Sequence, residues 1–197
     1  AAYANIKVVT ELLKNNLAID REEETNWLDH CVRREGYINF GIPGQTNALF
    51  AAMAWGTPEI VELLLRAGVN PNVEDRNGVD PFMYACYYGR NSNIKFWLNQ
   101  FKEWDIHRGN HATGANALTL ALSQGPNKLE TAKLLLKAGI NIEQSASSGV
   151  TNLMVACSNE DSDPEVVSLL LSFAACNPNV QARPRGVRWT TIRHISK

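Results

Sequence analysis

The 197-residue sequence has no long hydrophobic run. Its longest uninterrupted apolar stretch, Ala48 to Trp55, falls far short of the roughly 18 residues a membrane-spanning helix needs. Cysteine is sparse and scattered: Cys31, Cys86, Cys157 and Cys176, with no CxxC pair. A disulfide framework needs denser cysteine in a smaller chain, so reduced thiols in the cytosol or nucleus are expected. There is no Asn-x-Ser/Thr sequon and no visible signal peptide. Neither sign of charge dominates. Lys plus Arg number 19 and Asp plus Glu 20, a net charge of −1, which excludes a globally basic nucleic-acid binder. The chain opens Ala1-Ala2 without Met, as expected of something processed or trimmed from a longer protein.

Reaction motifs are missing too. There is no GxxxxGK[ST] phosphate loop, no GxSxG elbow and no HExxH. What is present suffices for a core: 45% of residues are hydrophobic and 20% charged, in a length that suits one domain or two at most.

A repeat organises the chain. Asn47-Ala-Leu-Phe-Ala-Ala, Asp80-Pro-Phe-Met-Tyr-Ala-Cys, Asn116-Ala-Leu-Thr-Leu-Ala-Leu and Thr151-Asn-Leu-Met-Val-Ala-Cys begin 33, 36 and 35 residues apart. Gly78-Val79, Gly114-Ala115 and Gly149-Val150 precede three of them. Each is followed by a turn and a second apolar segment, as in Glu59-Ile-Val-Glu-Leu-Leu-Leu-Arg-Ala-Gly68 and Glu130-Thr-Ala-Lys-Leu-Leu-Leu-Lys-Ala-Gly139. A period in this range marks a stacked repeat architecture.

The pattern resembles the ankyrin repeat. Leu63-Leu-Leu-Arg-Ala-Gly-Val-Asn-Pro-Asn-Val-Glu-Asp75 matches the family's second half, and Asn177-Pro-Asn-Val180 repeats Asn70-Pro-Asn-Val73. Where the family's Thr-Pro-Leu-His carries histidine, this chain has Phe50, Met83, Thr119 and Met154. The resemblance implies an all-α solenoid of helix-turn-helix units with projecting turns. Four units are expected at about 44–77, 78–113, 114–148 and 149–182. Residues 1–43 read as an aberrant capping repeat, and residues 183–197 as a basic partial cap or tail.

The local chemistry agrees. Ile60, Val61, Leu64 and Leu65 recur at helical spacing. Thr57-Pro58-Glu59 and Asp163-Pro164-Glu165 read as an N-cap, a proline at the first helical position and an acid in the first turn. Gly68 and Gly139 sit where glycine ends a helix, and Asp75-Arg-Asn-Gly78 is a turn. A single such unit cannot bury its own apolar face, so neighbours must stack.

No candidate chemistry outweighs this architecture. His107 and His111 have a metal-ligand spacing, but Gly109 lies between them and the register puts both in a projecting loop. Glu160 to Glu165 is acidic but lacks a calcium loop's length and glycine, and reads as a capped inter-helix turn. Cys86 and Cys157 occupy small buried positions between helices, and Cys176 lies in a turn with no assignable base. No enzyme activity, metal or cofactor is expected.

The resemblance implies a partner-binding concave face built from turn tips and the outer positions of each first helix. By register these are Ala54 and Trp55 in the first unit. In the second they are Glu74, Arg76, Asn77, Val79, Tyr87 and Tyr88. The third supplies His111, Ala112, Ala115, Ser123 and Gln124, and the fourth Ser145, Ser147, Ser148, Val150, Ser158 and Asn159. Trp55, Tyr87 and Tyr88 are of the types that carry binding hot spots, so a protein interface should centre on the first two units; packing against neighbouring turns is the competing reading. Phe96, Trp97, Phe101 and Trp104 read as core of a second helix, and Asn99-Gln-Phe-Lys-Glu-Trp-Asp105 departs from the usual ending, which implies a longer second helix or a loop there. The tail carries Arg183, Arg185, Arg188, Arg193 and Lys197 and no acid. It is read as a solvated cap; contact with nucleic acid, an anionic membrane or an acidic protein is the alternative. A structural role within a larger assembly is the other class of function consistent with these surfaces.

Overall fold

A computed structural model describes residues 48–124, 126–144, 146–158, 163–173 and 175–182. The expected capping repeat at 1–43 and the basic tail lie outside the described residues. Among the described residues are eight helices and no strand. They are α1 Ala48–Trp55, α2 Pro58–Arg66, α3 Pro81–Tyr87, α4 Asn91–Gln100, α5 Ala117–Gln124, α6 Lys128–Lys137, α7 Asn152–Ser158 and α8 Pro164–Leu171. The odd-numbered helices pack on one another in a row, α1 on α3 on α5 on α7, and the even-numbered helices form a second row against it. This is the all-α repeat solenoid that the repeat pattern implies.

The same device starts α3, α5 and α7. Asp80 Oδ1 accepts the Met83 N–H at 2.7 Å, Asn116 Oδ1 that of Thr119 at 3.0 Å, and Thr151 Oγ1 that of Met154 at 3.3 Å. Each satisfies an amide that has no partner inside the helix. Pro58 and Pro164 open α2 and α8, and Asp163 Oδ1 takes the Glu165 N–H at 2.8 Å. Gly68 and Gly139 follow α2 and α6 at φ +92° and +88°. A Cβ would meet nothing within 4 Å at either site, so glycine is required there by backbone conformation alone.

The first helices are nearly all apolar because each packs on its neighbours in the row and on the second row. Leu49, Phe50, Ala52, Met53 and Ala54 of α1 are all buried. None of α1, α3, α5 and α7 contains Asp, Glu, Lys or Arg. Trp97 of α4 is wholly buried between rows.

Polar ties run from unit to unit. Asn93 Nδ2 of α4 reaches the Ala52, Met53 and Gly56 carbonyls at 3.1, 3.1 and 3.3 Å, at the end of α1. Thr119 Oγ1, at a position where the family has histidine, lies 3.0 Å from Asn116 Oδ1 and 2.8 Å from Asn152 Oδ1 of the next unit. The turns are joined by backbone bonds, Ala112 N–H to Asn77 O at 3.1 Å and Ser147 N–H to Thr113 O at 2.7 Å.

Three expectations change. Trp104 is not helical: α4 ends at Gln100, and Trp104 lies in the following loop with its ring against Trp97, centroids 5.0 Å apart. Cys157 is exposed rather than packed between helices, because it falls on the outer side of the last turn of α7. Ala54 is fully buried, because the partly exposed face of α1 runs through Ala48, Ala51 and Trp55 instead.

Candidate protein-interaction surface

Three of the predicted residues come together. Trp55 ends α1, Tyr87 ends α3 and Tyr88 caps it. The Trp55 and Tyr88 ring centroids are 5.2 Å apart, and Tyr87 meets Tyr88 edge to face at 5.0 Å. Tyr84, one turn before Tyr88, joins at 6.3 Å and itself packs on Phe50 at 5.0 Å. The cluster thus runs from the core, through Phe50 and Tyr84, to three half-buried rings. Arg90 fixes its edge by donating from Nη2 to the Trp55 carbonyl at 2.7 Å. Burial pushes the Tyr88 phenol up to about 12, with neighbouring Tyr87 adding to it, and burial also raises Tyr87. These hydroxyls stay neutral through the physiological range. Packing and partial exposure therefore coexist: the rings brace one another and remain only half-buried.

The tip residues are arranged differently. Asp75 holds the turn, its Oδ1 accepting the Asn77 and Val79 N–H groups at 2.9 Å each and its Oδ2 the Tyr84 hydroxyl at 3.3 Å. Asn110 does the same in the next turn, bonding Thr113 N–H at 2.8 Å and the Ala115 carbonyl at 3.1 Å. His111 donates from Nε2 to the Arg76 carbonyl at 2.8 Å. Its ring lies against Gly78, where a Cβ would collide with it. Glu74 is bound by Arg108, and His111 Nδ1 is 3.9 Å from its other oxygen. Glu74 and His111 through their side chains, and Arg76 and Asn77 through their carbonyls, thus join one turn to the next. The Arg76 and His111 side chains remain exposed.

Val79 and Ala115, predicted at the surface, are buried, because each leads its turn back into the first-helix row. Ala112, Ser147, Ser148 and Ser158 are exposed, and Ser123 and Val150 half-buried. Ser145, Asn159, the Gln124 side chain and the tail's Arg183, Arg185, Arg188, Arg193 and Lys197 lie outside the described residues. His107 Nδ1 accepts the Asn141 N–H at 3.2 Å, so this histidine also joins consecutive turns. Among the described residues, no three His, Cys, Asp or Glu side chains are placed to hold a metal ion. Burial raises the Cys86 thiol well above its ordinary range. Cys176 is raised by burial, then by Glu143 and Cys157, which works against thiolate chemistry there.

Sequence reasoning missed Arg108. It stands over the Trp104 ring, 5.8 Å from the centroid, with Nη1 3.6 Å from buried Asp80 Oδ2. The available signal was an offset: Gln144 lies as far beyond Asn116 as Arg108 does beyond Asp80, and Asn116 Nδ2 donates to Gln144 Oε1 at 3.1 Å. No helix among the described residues is long and apolar enough to cross a membrane.

A family model for ankyrin repeats (3 copies) matches residues 48–145 and 82–182. The chain is 30% identical over 173 residues to ankyrin repeat and SOCS box protein 3 of Bos taurus, covering 79% of this chain and 32% of that protein. It is 34% identical over 106 residues to the probable E3 ubiquitin-protein ligase XBOS32 of Oryza sativa subsp. japonica, covering 54% and 21%. Against the nuclear factor NF-kappa-B p105 subunit of Gallus gallus it is 31% identical over 152 residues, covering 77% and 14%. The chain therefore spans a third or less of the length of these relatives.

Proposed function

Because this chain belongs to the ankyrin-repeat family, we propose that it is a non-catalytic protein-interaction module, presenting its first-helix row and turn tips as a concave surface to a protein partner. Repeats of this family are generally protein-binding and non-catalytic. The observation that carries the reading here is the Trp55–Tyr88–Tyr87 cluster, braced from the core and half-exposed at the ends of α1 and α3. Large, rigid rings lose little conformational entropy on binding, and they dominate interface energetics. The first helices carry no charge, so the partner segment facing them is an uncharged one. Glu74, Arg76, Asn77 and His111 form the polar rim.

One of these relatives is named for ubiquitin ligation and one for a SOCS box, and this chain covers a fraction of each. They favour a second, narrower reading: the module recruits a protein to a ubiquitin-ligase assembly. Its widely spaced cysteines support a cytoplasmic or nuclear setting.

Affinity capture from a native extract tests the module. The comparison is between the chain, a Trp55→Ala/Tyr87→Ala/Tyr88→Ala variant, a Tyr87→Glu variant and a chain ending at residue 182, all with matched helical signal. Loss of a protein partner in both aromatic variants supports the surface. Loss only on removing residues 183–197 transfers the activity to the basic tail. Undiminished capture by the triple variant sinks the proposal.

A further inference from the structure

Asp80 is wholly buried, yet only half of its carboxylate is bonded. Oδ1 caps α3; Oδ2 has no hydrogen bond, and its nearest cation is Arg108, with Nη1 3.6 Å away. Buried Asp75 makes the contrast, since both of its oxygens accept hydrogen bonds. The Arg108 guanidinium is divided, because Nη2 binds Glu74 and the group also stands over Trp104. The charge at residue 80 is not needed for capping. Asn116 and Thr151 cap α5 and α7 at the equivalent position without one. The Asn116–Gln144 contact is the same joint in neutral form, one unit along.

We propose that the junction between the α3–α4 and α5–α6 helix pairs is a protonation-responsive joint, built on Asp80 and Arg108, that holds more tightly in mildly acidic than in neutral solution. At neutral pH it keeps a carboxylate out of water against one shared cation with no hydrogen bond to Oδ2, and burying a charge so poorly compensated is costly. Protonation removes the buried charge and with it that cost. The groups facing Asp80 are few. Arg108 and the Met83 and Phe82 N–H groups favour the charged form, while Glu74 opposes it, and the Cys86 thiol lies close by. His111 stands beyond Glu74. Helices α1 and α5, packed on either side of α3, carry no charge, and the one charge on α4, Lys95, is exposed.

Burial pushes the Asp80 carboxyl up to about 6, against about 3.9 in an unfolded chain. Between those values the folded chain holds a proton that the unfolded chain has released. The stabilisation is therefore present below about pH 4 and is lost as pH rises through 6. Between pH 7.5 and 4.5 this one group shifts the folding equilibrium about twenty-fivefold towards the folded state.

Urea unfolding of the full chain at pH 4.5 and 7.5 tests the joint. The chain is compared with Asp80→Asn, Arg108→Gln and the double variant, which copies the neutral joint. The ratio of the wild-type folding constant to that of Asp80→Asn should be about twenty-five times higher at pH 4.5 than at pH 7.5. Arg108→Gln should widen the wild-type response, and the double variant should lack it. His111→Gln should retain it, which separates this joint from His111 and Glu74. Should Asp80→Asn fail to fold, an NMR titration of the Asp80 carboxyl in the native chain decides. A midpoint near pH 6 supports the joint. Parallel wild-type and Asp80→Asn profiles, or a midpoint below 4.5, overturn it.

Discussion

Asn93 offers the sharpest test of how the first two units are held together. Its side chain is buried at 1% exposure, and its amide nitrogen serves three carbonyls at the end of α1. Ala52 O already accepts the Gly56 N–H at 2.8 Å, so Met53 O and Gly56 O depend most on Asn93. Asn93→Ala removes both amide hydrogens and leaves a small void. Two lost hydrogen bonds at about 1 kcal/mol each, plus the void, predict a loss of about 2–4 kcal/mol. Asn93→Leu refills the volume but not the donors. It also removes Oδ1, which is buried without a partner, so its cost should fall near 2 kcal/mol. Asn93→Asp keeps the shape and turns a charged acceptor on the carbonyls, for about 3–5 kcal/mol. Urea unfolding followed by far-UV circular dichroism and tryptophan fluorescence measures all three. Units that contact only their neighbours should also part earlier at this junction, giving a shallower transition. If Asn93→Ala and Asn93→Leu both stay within about 0.5 kcal/mol of wild type, the amide does not hold the junction.

Gly68 and Gly78 form a matched pair. Gly68→Ala should cost about 1 kcal/mol for its left-handed backbone alone, since no atom stands within 4 Å of the new Cβ. Gly78→Ala, at φ +76° and with the Cβ 2.7 Å from the His111 backbone nitrogen, should cost about 2–4 kcal/mol in thermal melts. Equal losses would mean that the His111 contact carries no weight. Thr119→Val leaves the buried Asn152 Oδ1 without its hydroxyl partner and should lose about 1–3 kcal/mol in the same assay, with helical content unchanged. No measurable loss would show that the hydroxyl does not tie the third unit to the fourth.

The helices were readable because their signals are local. Thr57-Pro58-Glu59 and Asp163-Pro164-Glu165 sit at the starts of α2 and α8, and Gly68 and Gly139 follow helix ends at positive φ. Register alone places Ala54 outward, but the partly exposed face of α1 runs through Ala48, Ala51 and Trp55. Trp104 was misplaced because aromatic spacing continues past Gln100, where the helix does not. The aromatic cluster could be anticipated from Trp55, Tyr87 and Tyr88 falling at the ends of two first helices. Asn93 could not, since an asparagine early in a helix looks like a solvated one until the preceding unit's carbonyls are laid beside it.

The ties at the turns show what the repeat preserves. Asp80 with Arg108 and Asn116 with Gln144 occupy the same place in consecutive units, one pair charged and the other neutral. His107 and Glu143 likewise accept an N–H from the turn that follows, from Asn141 at 3.2 Å and Asn177 at 2.9 Å, one through an imidazole and the other through a carboxylate. Backbone geometry fixes where a link must fall, and several side chains can make it. The family pattern therefore predicts the location of such links better than their chemistry. Glu74, Arg76 and His111 match the expected positions of a binding rim, but each also contributes to a link between turns. A partner engaging Glu74 would compete with Arg108 for it. The half-buried rings of Trp55, Tyr87 and Tyr88 brace one another instead, with centroids 5.2 and 5.0 Å apart. On the proposed reading, binding energy would concentrate on the aromatic cluster, with the tip residues setting orientation at its edge.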